Sequence, residues 1–126
     1  MIRVPLVLAA LLMPPGGTLA LRQVPAPCQA HLELTHQGQL LTVAGHCRNL
    51  LPTPAHYRYQ LLLVRQSSVG RSQSVQGGEF DLAPQQEVRL SEVRANVLGR
   101  DRYRALLLIL DPMGHIVARD SAEQGP

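Results

Sequence analysis

The 126-residue sequence predicts an all-β fold, an antiparallel β-sandwich of about seven short strands. Three observations carry that expectation. Apolar and polar residues alternate with a period of two over 28–36 and 39–47, the spacing of a half-buried strand. Turn-forming residues recur at short intervals along the rest of the chain. Helical spacing is scarce: the best candidate, 86–97, sets its apolar residues poorly for a period of 3.6.

Residues 1–20 stand apart from this pattern and read as a secretory signal. A positive start at Arg3 is followed by an apolar run from Val4 to Met13, then Pro14-Pro15-Gly16-Gly17 and the small-residue segment Thr18-Leu19-Ala20. The run is shorter than the roughly 20 residues that span a bilayer, so no stable membrane insertion is expected after cleavage. No cysteine follows Ala20 to take a lipid anchor. Residues 21–27 read as a flexible leader, 28–120 as the sandwich domain and 121–126 as a disordered tail. Export would place the mature protein where disulfides persist.

The strands follow in order. In 28–36, Cys28, Ala30, Leu32 and Leu34 share one face; in 39–47, Leu41, Val43, Gly45 and Cys47 do. Two prolines at 52 and 54 interrupt the chain. Segment 57–65 places Tyr57, Tyr59, Leu61 and Leu63 on one side, while Leu62 and Val64 make its other side apolar as well, which marks a central strand. The polar stretch around 71–76 reads as a short edge strand. Phe80, Leu82, Val88, Leu90 and Val93 flank a proline turn. Segment 102–110 is the most apolar of all. It is joined through the turn Asp111-Pro112-Met113-Gly114 to a final strand at 115–120, which argues against a helix there.

The two cysteines lie in the first hairpin. With Gln37-Gly38 as a two-residue loop, Leu34 would oppose Leu41, Leu32 would oppose Val43, and Cys28 would oppose Cys47. Directly opposed residues lie within disulfide reach, and a bridge closing that loop would contribute about 3 kcal/mol. A structural disulfide between Cys28 and Cys47 is therefore expected, with two buried free thiols as the alternative. A redox couple has no CxxC or CxC to support it. His31 and His46 would be diagonal neighbours on the outer face, but no third ligand stands at a recognisable spacing, so no metal site is expected.

The composition excludes several function classes. Every basic residue is arginine, and 12 of them against 9 Asp and Glu give a formal charge of +3, too mild for a nucleic-acid footprint. There is no Gly-rich phosphate loop, GxSxG or HExxH, and the serines lack a histidine at a telling spacing. A small sandwich leaves little room for a deep cleft. The expectation is a protein that is not an enzyme and uses no cofactor.

The second half is more specific. "SSVGRSQSVQ", "LAPQQEVRLSEV" and "DRYRALLLILDPMGHIVARD", following an apolar strand that ends near Arg65, resemble the periplasmic curli-assembly chaperones of the CsgC/CsgH type over roughly residues 57–120. The resemblance implies an immunoglobulin-like sandwich in the periplasm of a Gram-negative bacterium. It also implies the family's activity, which is to keep amyloid fibre subunits (curlin-like, disordered, Gln/Asn-rich) unpolymerised before export. Some members carry a CxC at the start of the third strand; the matching positions here are Ala55, His56 and Tyr57, which removes a redox role at that place.

A physical mechanism is available beside the resemblance. Amyloid growth needs flat, low-charge strand edges, and arginines pair carboxylates and hydrogen-bond amides. Arg58, Arg65, Arg71, Arg89, Arg94, Arg102 and Arg104 are the candidate client-binding residues. Strand addition at the polar edge around Arg71–Gln76 is an alternative contact. The protein is expected to act as a monomer. The competing reading is a non-catalytic structural or adhesion module of an envelope assembly.

Overall fold

The computed structural model describes residues 26–125; the signal expected at 1–20 and most of the leader lie outside them. Seven strands follow one another: β1 Cys28–Gln37, β2 Leu40–Asn49, β3 Ala55–Ser67, β4 Gly70–Leu82, β5 Glu87–Asn96, β6 Arg102–Leu110 and β7 Ile116–Gln124. They form a three-stranded sheet in the order β1-β2-β5 and a four-stranded sheet in the order β4-β3-β6-β7, and every paired neighbour is antiparallel. This is the sandwich that the alternation called for.

The two inner faces meet in one core. Leu41 and Val43 of β2, Leu61 and Leu63 of β3, and Leu107 and Ile109 of β6 are buried there, each worth about 1.5–3 kcal/mol over an exposed position. The sheets approach so closely at Gly45 that an added Cβ would lie 3.2 Å from Leu107 Cδ1. At one side of the sandwich β1 meets β7: the Leu32 N–H donates to Asp120 Oδ2 at 2.8 Å.

The first hairpin corrects the register expected from sequence. Its loop is Gly38-Gln39, with Gln37 paired to Leu40. Gly38 has φ +60°, which suits the first loop position of a type II′ turn, where glycine is required. Leu34 therefore opposes Val43, Leu32 opposes Gly45, Ala30 opposes Cys47 and Cys28 opposes Asn49. The shift is two residues, so the same side chains still face inward, but the cysteines are diagonal rather than opposed. Both are buried free thiols in this structure; the expected disulfide is not formed.

Two further elements differ from the sequence reading. The edge strand expected at 71–76 is the far longer β4, which pairs with β3 from Ser67↔Gly70 to Ala55↔Leu82 without a register shift. β7 runs on to Gln124 through part of the expected tail, because Ala122 and Gln124 pair with Ala105 and Tyr103. The turn before β7 is held by Asp111, whose Oδ1 accepts the N–H groups of Met113 and His115, each at 2.9 Å. Those bonds, that of His115 foremost, hold the carboxyl below its ordinary range.

One buried polar residue fixes the loop after β2. Asn49 is fully buried. Its Nδ2 donates to the carbonyls of Thr53 at 2.9 Å and Ala83 at 3.2 Å, and its Oδ1 accepts from the Leu51 N–H at 3.0 Å. A buried amide with its partners supplied ties the β2–β3 connection to the end of β4.

Candidate functional site

The outer face of the four-stranded sheet is built from alternate residues of β4, β3, β6 and β7. Register sets its rows. Leu62 lies between Val75 of β4 and Leu106 of β6, Gln60 lies between Gly77 and Leu108, and Arg58 lies between Glu79 and Leu110. No second layer covers this face among the described residues. The apolar second side of β3 and β6 therefore forms a half-exposed belt of Leu62, Val64, Leu106, Leu108 and Leu110, joined by Val75 at 59% exposure. A shallow depression of about 230 Å³ between Gln60, Leu62, Gln73, Val75, Leu106 and Leu108 marks its centre.

The two ends of the belt differ in charge. At one end Gln66 is flanked by Arg71 from β4 and Arg102 from β6, and Val64 is paired with Arg104. Arg71, Arg102 and Arg104 line one groove of about 510 Å³ together with Gln66 and Glu123. Among the described residues none of the three arginines forms an ion pair within 4 Å. At the other end His56 stands between two carboxylates, with Nδ1 2.6 Å from Asp81 Oδ1 and Nε2 3.0 Å from Glu79 Oε1. Asp81 first, then Glu79, raises the imidazole above its ordinary value.

The structure thus divides the seven candidate arginines. Arg71, Arg102 and Arg104 come together. Arg58 shares their face but lies toward the acidic end, across from Glu79. Arg65 turns toward the other sheet, and its Nη1 donates to the Asn96 carbonyl at 2.5 Å. Arg89 and Arg94 lie on β5 in the opposite sheet, where Arg89 Nη2 and Arg94 Nε each donate to Glu92 at 2.7 Å. The apolar belt was not singled out as a site from the sequence; its signal was the pair Leu62 and Val64, which broke the alternation of β3.

The cysteines face the core rather than this surface. Cys28 and Cys47 shift each other's thiols: Cys28 first, then burial, pushes Cys47 up, while Cys47 draws Cys28 below its ordinary value. Tyr57 packs beside them, and burial first, then the sulfur charges, pushes its hydroxyl up to about 12. On the outer side of that hairpin His31 and His46 are directly opposed, not diagonal, with ring centroids 6.1 Å apart. His46 Nε2 lies 3.0 Å from Glu33 Oε1. Among the described residues no group of three or more His, Cys, Asp or Glu side chains is arranged to hold a metal ion.

No family model matches the sequence, and no curated protein matches it significantly. Solved structures do match the fold. The E. coli curli protein CsgC superposes with a TM-score of 0.62 at 23% identity, covering 75% of this chain and 96% of CsgC. R. palustris CsgH gives 0.57 at 20% identity, covering 73% of this chain and 89% of CsgH. A putative β-galactosidase from Bacteroides fragilis matches at 0.54 and 14% identity, over only 16% of its own chain. A two-sheet scaffold recurs among proteins of unrelated activity; the two curli proteins are matched over 96% and 89% of their own chains. This chain has the fold of the curli proteins CsgC and CsgH.

Proposed function

We propose that this protein is a periplasmic chaperone that delays the amyloid polymerisation of secreted curli-like fibre subunits, acting by transient surface contact and not by chemistry. The observation that carries the reading is the juxtaposition of Arg71, Arg102 and Arg104, free of carboxylate partners among the described residues, with the half-exposed apolar belt. The fold shared with CsgC and CsgH and the signal-like start of the sequence support it.

The chemistry follows from the surface. Guanidinium groups pair carboxylates in two-pronged fashion and donate to amide oxygens of Asn and Gln. An unfolded subunit presents both groups, and the belt beside the arginines accepts its sparse apolar side chains. Contacts of this kind are individually weak and exchange quickly, so one molecule can visit many subunits. Each visit interrupts the alignment of uncharged strands from which a fibre nucleates.

The test is fibrillation of a Gln/Asn-rich curli-like subunit followed by thioflavin fluorescence. The mature domain is expected to lengthen the lag well below equimolar amounts. No effect at equimolar protein would sink the reading. Stoichiometric co-purification with finished fibres would favour a structural module of the assembly instead.

A further inference from the structure

The long open edge of β4 is unlike the other margins of the sandwich. All residues from Gly70 to Glu79 are exposed, and only one side of the strand is paired, to β3. Thirteen residues span about 43 Å. Edge strands are usually blunted by proline, lysine, a bulge or a covering segment. β4 has neither proline nor lysine, its ladder with β3 has no register shift, and 72–78 carries no charge.

The hairpin phase tells which backbone groups are open. Ser67 and Gly70 flank the two-residue loop and close the hairpin, so they form a hydrogen-bonded pair, and such pairs alternate along the ladder. The N–H and C=O groups of Arg71, Gln73, Val75, Gly77 and Glu79 then point away from β3. The side chains of Arg71, Gln73, Val75 and Glu79 all lie on the outer face, with Val75 standing 59% exposed at the centre of the series.

This edge is complementary to itself. Laid antiparallel about a two-fold axis through Val75, it brings Arg71 opposite Glu79, Gln73 opposite Gly77 and Val75 opposite Val75. Every open backbone residue meets another open one, giving on the order of ten hydrogen bonds. Opposite charges meet at both ends of the ladder, which favours this register. The apolar belt becomes continuous from Leu62 of one copy through both valines to Leu62 of the other. We propose that β4 pairs with β4 of a second copy of this chain in this register, forming one eight-stranded sheet and removing an exposed template edge. The closed two-fold arrangement is self-limiting, because it consumes the edge it uses.

Sedimentation equilibrium of the domain from low to several hundred micromolar is the test. A reversible dimer is expected. Val75→Pro removes an outward N–H while sparing the bonds to β3 and should weaken dimerisation by on the order of tenfold or more. Val75→Lys, which sets two charges face to face, should do the same. Arg71→Glu and Glu79→Arg should each weaken the dimer, and the double exchange should restore it; circular dichroism checks that each variant is folded. A protein monomeric throughout the range overturns the proposal, as does a dimer indifferent to Val75→Lys and to the charge exchange. So does an edge that binds an extended amide-rich peptide while the free protein stays monomeric. Because the readout is self-association, it fails or stands separately from any effect on fibre growth.

Discussion

Cys28 pairs with Asn49 across the first hairpin while Cys47 pairs with Ala30, which sets the two buried cysteines diagonally beside each other on the inner face. The two sulfurs are thus neighbours inside the core without a bond between them. A bridge between them would form by exchange with an external disulfide, which leaves as two thiols, and would need the strands to shift, because diagonal neighbours lie about 7–8 Å apart. The oxidised protein should carry no thiol titratable in denaturant without reductant. It should also unfold at higher denaturant than its reduced form, by about 3 kcal/mol for a loop of this length. Two titratable thiols in the native protein prepared without reductant would remove the bridge.

Asn49 itself anchors the β2–β3 connection. Replacing it by alanine strands the Thr53 and Ala83 carbonyls and the Leu51 N–H, which it now satisfies. A loss of about 2–3 kcal/mol is expected in urea unfolding. Asn49→Asp should be worse at neutral pH, because it turns a carboxylate onto carbonyl oxygens. An unchanged midpoint for both variants would show that the amide is dispensable.

His56 makes stability depend on pH. Its folded pKa is raised by Asp81 and Glu79, so the charged form is the one the fold favours. The contribution is then fully present below the unfolded value of about 6.5 and is lost as pH rises through the higher folded value. His56→Gln should lower the unfolding midpoint at about pH 5.5 and leave it unchanged at about pH 9. NMR titration of the ring should place its midpoint above that of an unstructured histidine; a value at or below it would contradict the assignment.

The strands and their inward faces were legible in the sequence because period-two alternation survives any even shift of register. The same property hid the true pairing of the cysteines. Loops at Gln37-Gly38 and Gly38-Gln39 bury the same side chains, and only the backbone of Gly38, at φ +60°, decides between them. The arginine site was half legible. Alternation places Arg102 and Arg104 on one face, but Arg71 joins them only because β3 lies between β4 and β6, an order that no local pattern contains. Leu62 and Val64 were read correctly as the mark of a central strand. That their side chains lie half-exposed follows from the absence of any layer over that face among the described residues.

The last prediction separates the basic groove from ordinary solubilising charge. If Arg71, Arg102 and Arg104 meet the client, replacing all three by alanine should shorten the added lag several-fold, with little effect on stability because all three are exposed. Replacing Arg89 and Arg94, which are bound to Glu92 in the other sheet, removes two positive charges against three and should leave the lag intact. Raising salt from about 50 to 500 mM shortens the reach of exposed charges from beyond about 10 Å to a few ångströms, so inhibition should weaken with salt in the native protein and much less in the triple variant. Equal losses from the two sets of substitutions would mean that net charge, not this groove, governs the encounter.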